Sequence, residues 1–342
     1  MVTRKEVALQ AGVSESTVTR VMNGGYVSPS VREKVAKVIE EMNYRPNLFA
    51  QGLRTKRTYQ IACIVPSIDN PFYGEVMQGI EEVAIEHGYV LSMYSSRVVN
   101  KSPGRSFFSG RNDAVILLSP GESRGWLLRD LWEAHMPLAT FWDWETEAPS
   151  PSVSVDLRIG MQAAVEHLVS LGHRDIGYIG YMNPARAETD RNPRLTGFKE
   201  SMAAHGLRTH PDQFQYTADR GSLDAGYHGV EELVGKFPGL SAIVTSNDLL
   251  AFGAIRWLEE HGIHVPEDIS VVGCDDIAYS ALSNPPLTTI AIPKREVGNH
   301  LMNLVLSLIE SRKSHHDGSE HIQVPIELVV RSSTAVKRTN TE

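Results

Sequence analysis

From about residue 60 onward the chain alternates short, almost wholly apolar runs with longer amphipathic stretches, and few architectures accept that rhythm. The runs IACIVPSI, YVLSMYS, DAVILLS, PLATFW, DIGYIGY, SAIVTS and DISVVGC read as buried strands, and residues 72–87, 157–171, 191–205, 247–261 and 294–310 as helices. Strands that are apolar on both faces need helices on both sides. The pattern therefore predicts an α/β body of parallel sheets, arranged as two doubly wound lobes. In such sheets ligands bind beyond the carboxyl ends of the strands, which directs attention to the loops that follow these runs.

The first sixty residues differ in kind. Residues 1–58 hold ten Lys and Arg against five acids, whereas the whole chain of 342 residues carries −8, so the remainder carries −13. A basic head on an acidic body predicts a polyanionic partner for the head alone. The two cysteines, Cys63 and Cys274, lie inside apolar runs and are expected to be buried free thiols, as in a reducing compartment. The polar start MVTRKEVALQ does not resemble a signal peptide and no run is long enough for a membrane span, so a cytoplasmic protein is expected.

Within the head, Thr3 followed by Glu6 is a capping-box pattern, and Val7, Ala8 and Ala11 supply an apolar stripe for a helix from about Arg4 to Gln10. Gly12 ends it. Ser14 is placed to cap a second helix bearing Val18 and Met22 one turn apart, a spacing that fits a helix-turn-helix. With those two facing inward, Glu15, Ser16, Thr19 and Arg20 lie outward, either as a solvated face or as the side that meets base edges and phosphates. Ser28-Pro29 announces a third helix through Val31, Val35, Val38 and Ile39 to about Met42. The following stretch, residues 44–54, is too short for a stable isolated helix and exposes Leu48, Phe49 and Leu53, so it needs a partner to order it.

The runs VALQAGVSESTVTRVMNGG, VSPSVREKV and NYRPNLFAQGLRT together resemble the head and hinge of the LacI family of bacterial repressors. The resemblance continues through Asn70-Pro71-Phe72-Tyr73, Arg194-Leu195-Thr196-Gly197-Phe198, Asn247-Asp248 and Gly273-Cys274-Asp275-Asp276. It implies three domains: a helix-turn-helix head (1–45), a hinge helix and linker (46–59), and a two-lobed, periplasmic-binding-protein-like body for effector binding and dimerisation (60–342). It implies DNA contacts from Thr3, Ser14, Glu15, Ser16, Thr17, Thr19, Arg20, Asn23, Tyr26, Asn47 and Ala50. By the same resemblance the hinge folds on DNA and drives Leu53 into the minor groove, where an apolar wedge kinks the duplex.

In the body the resemblance implies that Phe72, Tyr73, Arg194, Asn247 and Asp275 line an inter-lobe pocket for a small polar effector, a sugar or related metabolite. The residues themselves leave other readings open: Phe72 as core, Asn247 and Asp156 as helix caps, and Arg194 with Asp275 as a pair across the cleft. Ser119 and Asp143 are lesser candidates. Two departures bear on the ligand, since Ala218-Asp219-Arg220 stands where members often place an aromatic residue, and Ile292 stands where a polar one is frequent. Ile326 to Thr334 resembles the family's last strand and no leucine heptad follows it, so a homodimer on a palindromic operator is the expected state.

Rival functions are weaker. Gly121-Glu122-Ser123-Arg124-Gly125 matches a hydrolase elbow, but Ser119 and Pro120 separate it from the strand and no oxyanion-hole motif precedes it. His315, His316 and His321 have no accompanying cysteine, so no metal, cofactor or catalytic residue is expected. A solute-binding protein without DNA-binding function is the alternative, and the basic helical head opposes it.

Overall fold

The computed structural model describes residues 2–22, 24–44, 57–96, 99, 108, 110–118, 124–142, 150–181, 192–217, 221–311 and 320–338. The chain divides into two compact units, Met1–Tyr59 and Gln60–Glu342.

The head contains α1 (Arg4–Ala11), α2 (Glu15–Met22) and α3 (Pro29–Glu41). The Thr3 hydroxyl accepts the Glu6 N–H at 3.3 Å while Glu6 Oε2 accepts the Thr3 N–H at 2.7 Å, the reciprocal box that the spacing predicts. The Thr3 N–H and, at 2.9 Å, the Thr3 hydroxyl both donate to Glu6 Oε2 and hold the carboxyl below its usual range. Gly12 closes α1 in the left-handed conformation. Ser14 Oγ accepts the Thr17 N–H at 3.2 Å and so starts α2. Ser28 precedes Pro29 as expected, yet its hydroxyl makes no capping bond and lies instead 3.3 Å from Ser30 Oγ. Small residues at Ala8 and Ala11 let the helices cross closely, and Val7, Val18, Val35 and Val38 complete a buried core.

The first lobe of the body is built from β1 (Gln60–Val65), α4 (Pro71–Glu86), β2 (Val90–Ser95), β3 (Ala114–Leu118), α5 (Arg124–Glu133), β4 (Leu138–Trp142) and β5 (Ser152–Ser154). The chain then crosses to the second lobe through α6 (Leu157–Ser170), β6 (Ile176–Tyr181), α7 (Pro193–Ala204), β7 (Phe214–Thr217), α8 (Leu223–Lys236), β8 (Ala242–Thr245), α9 (Asp248–Glu260), β9 (Ser270–Asp275) and β10 (Thr288–Ala291). It returns along α10 (Lys294–Ser311), adds β11 (His321–Gln323) to the first sheet, and ends with β12 (Glu327–Val329) in the second. The strand orders are β11-β5-β4-β3-β1-β2 and β12-β10-β9-β8-β6-β7. All neighbours are parallel except β10 and β12.

Two differences from the sequence reading have clear causes. YVLSMYS was expected as a buried strand, but β2 is the edge of the first sheet and leaves Val90 and Met93 exposed. Periodicity cannot distinguish an edge from a centre when the residues are apolar. The short strands β5, β7, β10 and β11 escape the reading because SVS, FQYT, TTIA and HIQ each carry polar residues and form no continuous apolar run.

Helix α10 lies on α4 in the first lobe, and the two approach until backbone meets backbone. A Cβ at Gly298 would stand 2.2 Å from the Val76 carbonyl oxygen, and one at Gly79 would stand 2.1 Å from that of Arg295. Only glycine permits that separation. Each sheet reverses its strand order beside its first strand, between β1 and β3 and between β6 and β8. Those reversals open crevices at the carboxyl ends of the strands.

Candidate functional site

In the head, several residues expected to meet DNA also hold the helices in place. Thr3 and Ser14 are caps, and the Ser16 and Thr17 hydroxyls lie 2.7 and 2.9 Å from Ser14 Oγ. Thr19 Oγ1 donates to the Glu15 carbonyl oxygen at 2.9 Å. Glu15, Ser16 and Arg20 are exposed, and Tyr26 is 90% exposed, a large solvent-facing aromatic in the turn before α3. Asn23, Asn47, Ala50 and Leu53 lie outside the described residues.

Sequence reasoning missed two head residues. Arg4 Nε sits 3.3 Å from Glu15 Oε2, so the acid at the start of α2 carries its own cation. Arg32 Nη2 donates to the Gly25 carbonyl oxygen at 2.7 Å and fixes the turn between α2 and α3. Neither has a local pattern, because each pairs across a fold that sequence spacing does not encode.

In the body, the expected residues sit where strands end and helices begin. Asn70 caps α4, its Oδ1 accepting the Phe72 N–H at 2.9 Å. Phe72 is buried against Tyr73 and Phe141, with ring centroids 5.1 and 6.1 Å away, in accord with its reading as core. Arg194 opens α7, where Asn192 Oδ1 accepts its N–H at 3.0 Å. Its guanidinium Nη2 lies 3.9 Å from Asp275 Oδ1, and both side chains are largely buried. Asp156 caps α6 and pairs with Arg158 at 3.5 Å, in accord with its capping reading. Ser119 and Asp143 lie outside the described residues, as do Ala218 to Arg220.

Asn247 caps α9 through Oδ1, accepting from Leu250 N–H at 2.9 Å, and its Nδ2 donates to the Gly221 carbonyl oxygen at 3.0 Å. Both ends of the amide thus hold the loop before α8 against the start of α9. Gly221 has φ +84°, and a Cβ there would stand 2.4 Å from Asn247 Nδ2, so the contact excludes any larger residue.

Asp275 and Asp276 both have positive φ, +116° and +49°, at the carboxyl end of β9. Such backbone is costly for residues with a Cβ and persists only where surroundings enforce it. Lys294 Nζ donates to the Asp275 and Asp276 carbonyl oxygens at 2.7 and 2.5 Å, and Arg331 Nη2 pairs with Asp276 Oδ1 at 2.7 Å.

Behind them lies Asp248, which the sequence reading quoted but gave no role. Its carboxylate accepts from Thr289 Oγ1 at 2.5 Å, Ser280 Oγ at 2.8 Å and the Ile277 N–H at 2.9 Å. Burial pushes this carboxyl up to about 6, against the pull of those three donors. A basic helix-turn-helix head and a two-lobed body with polar side chains gathered at its strand ends are the make-up of a ligand-responsive DNA-binding regulator.

Comparison with known proteins agrees. Residues 3–47 match the family described as bacterial regulatory proteins, lacI family, and residues 165–334 match a periplasmic binding protein-like domain. The chain is 34% identical to the HTH-type transcriptional regulator DegA of Bacillus subtilis (strain 168), covering 96% of this chain and 97% of that protein. It is 30% identical to the ribose operon repressor of Escherichia coli (strain K12), covering 90% and 93%. A crystal structure of the lac repressor dimer bound to operator and the anti-inducer ONPF aligns with TM-score 0.79 and 27% identity, covering 98% of this chain and 99% of that one. The chain belongs to the lacI family of bacterial regulatory proteins and is a DNA-binding transcription regulator.

The relatives are regulators rather than enzymes. The hydrolase-like Gly121 to Ser123 falls outside the described residues, and His321 is bonded through its ring to Ser152 and Ser154. Among the described residues no group of three or more His, Cys, Asp or Glu is placed to hold a metal ion. No described helix is long and apolar enough to cross a membrane.

Proposed function

We propose that this chain is a cytoplasmic, homodimeric repressor without enzymatic activity, whose affinity for a palindromic operator is set by a small polar effector between the lobes of its body. The domain division that supports this is a head over 1–45, a hinge and linker over 46–59, and the two-lobed body over 60–342. The observation that carries the effector reading is the meeting of Arg194 with a conformationally strained Asp275 at the mouth of the second sheet. A guanidinium fork beside a carboxylate offers both donors and acceptors, which suits a hydroxylated ligand. Phe72 and Tyr73 open α4 of the first lobe, and Glu75, three residues beyond Phe72, touches Ala278 just past Asp275. That contact brings the start of α4 to the same mouth. The ribose operon repressor is named for a sugar operon, and the lac repressor structure holds operator and a small molecule, in line with this reading.

Effector binding would alter the lobe angle, change the spacing of two hinge segments in the dimer, and so favour or disfavour hinge folding on DNA. A selection from genomic fragments by the intact chain tests the operator half of the proposal. Enrichment of a palindromic site supports it, and enrichment of sequence-unrelated fragments opposes it. With that site in hand, Leu53→Ala is expected to weaken specific binding roughly tenfold or more while sparing salt-dependent non-specific binding. Equal loss of both would remove the wedge role from Leu53.

A second prediction concerns the reading face. Glu15, steadied by Arg4, is placed to accept from a cytosine amino group, so Glu15→Gln is expected to change base preference at one position per half-site by about 1–3 kcal/mol. Selection of binding sites from a random library with both proteins measures this. Identical consensus sequences would show that Glu15 reads no base.

A further inference from the structure

Glu75 is the fifth residue of α4, in the first lobe, and each of its carboxylate oxygens has a different partner. Oε1 accepts the N–H of Ala278 at 2.9 Å, and Ala278 belongs to the loop after β9 in the second lobe. Oε2 lies 3.5 Å from Lys294 Nζ. Lys294 begins α10, where the chain returns from the second lobe to the first. Its side chain is only 6% exposed, and the same ammonium grips the carbonyl oxygens of Asp275 and Asp276. A buried ammonium needs a counter-charge, and Glu75 supplies a full negative charge where the carbonyls supply only dipoles.

The surrounding geometry decides what can move. Gly79 and Gly298 hold α4 and α10 backbone to backbone, so Glu75 and Lys294 share one rigid block. Asp275, Asp276 and Ala278 ride on the second lobe. Any change of lobe angle must therefore break or stretch the bonds from that block to the loop. The loop is where two aspartates hold positive φ, a backbone that relaxes when support is withdrawn.

We propose that Glu75 and Lys294 are positioning residues that tie the first lobe to the Asp275 loop, so that the lobe angle and the setting of Asp275 change together. The inference rests on the effector reading of Asp275 given above, and it names the pair through which the first lobe senses the occupied pocket.

Distance measurement between spin labels tests it on the full-length protein without any effector. Glu86→Cys on α4 and Glu200→Cys on α7 place one label on each lobe at exposed positions, while the native Cys63 and Cys274 are buried from the reagent. With the doubly labelled chain diluted into an excess of unlabelled chain, so that each dimer carries one label pair, the parent is expected to show one narrow distance population. Glu75→Ala and Lys294→Met are each expected to add a second population at a different distance, and Glu75→Gln, which keeps an oxygen for the Ala278 N–H but loses the charge, a smaller one. Distributions identical to the parent in all three variants would overturn the tie. Should the alanine or methionine variant fail to fold, Glu75→Gln decides alone, since Glu75 is partly exposed and the change is isosteric: a new population supports the tie and an unchanged one overturns it. The effector reading is tested separately at Arg194, so unchanged distances beside a lost Arg194 response would reject the tie and leave the pocket standing.

Discussion

Replacing Arg194 by alanine is expected to abolish the effect of effector on operator affinity while leaving effector-free operator binding within about twofold of the parent. Arg194 is held at the start of α7 by the Asn192 cap, which aims its side chain at the end of β9. Its guanidinium stands 3.9 Å from Asp275, a separation at the outer limit of an ion pair. A ligand hydroxyl entering there would accept a charge-assisted bond from the fork and donate to the acid. Couplings of this kind are typically about 1–3 kcal/mol, or roughly 5- to 150-fold in affinity. Operator binding followed by fluorescence anisotropy, titrated with a panel of pentoses, disaccharides and nucleosides, reads the response. A ligand that shifts parent and variant alike would place Arg194 outside the pocket. Arg194→Lys is not expected to restore the response, because a point charge cannot reproduce a planar fork.

Loss of Asp248 is expected to have the largest effect on stability. Alanine at this position would leave the Thr289 and Ser280 hydroxyls and the Ile277 N–H without their acceptor in a buried site, at a cost of about 2–4 kcal/mol. The same change frees the loop that follows β9, since Asp248 is what ties residues 277 and 280 to the start of α9. Denaturant midpoints of parent and variant measure the loss, and equal midpoints would show that the three donors find other acceptors.

Asp248 also gives a pH signature of defined sign. Its carboxyl is raised from 3.8 to about 6 on folding, with burial as the main cause. Between those values the folded protein holds a proton that the unfolded chain has lost. The contribution of this group to stability therefore rises as pH falls through about 6 and levels off below the unfolded value. Asp248→Asn is expected to remove that rise, so the difference between midpoints at about pH 7 and about pH 5 shifts in favour of the higher pH relative to the parent. An unchanged difference would assign the pH dependence to other groups.

Much of this molecule is written in local pattern. The capping box at Thr3 and Glu6, the Ser14 cap and the valine spacing of α2 and α3 each involve residues within one or two turns, so the sequence specifies the head's three helices without reference to the rest. The central strands of the body are legible for the same reason, since a run buried on both faces must be apolar throughout. The loops at the strand ends could be singled out because parallel sheets present them on one side, while Asn70, Arg194, Asn247 and Asp275 within them were named by the family resemblance.

Apart from the Arg194–Asp275 pair, the relations among those residues were not legible. That Asn247 spends both ends of its amide within the protein, that Glu15 carries Arg4, and that Asp248 gathers three donors depend on contacts between segments far apart in the chain or across a turn. The edge position of β2 and the tie from Glu75 through Lys294 to Asp275 depend likewise on strand order and lobe crossing. The sequence alone determined the head's helices, the central strands of the body, the charge contrast between head and body, and the side of the sheets on which the candidate site lies, because each follows from short-range periodicity or composition. Only the tertiary structure decided which buried charges share a partner, because pairing energy depends on distances in space that chain spacing does not record.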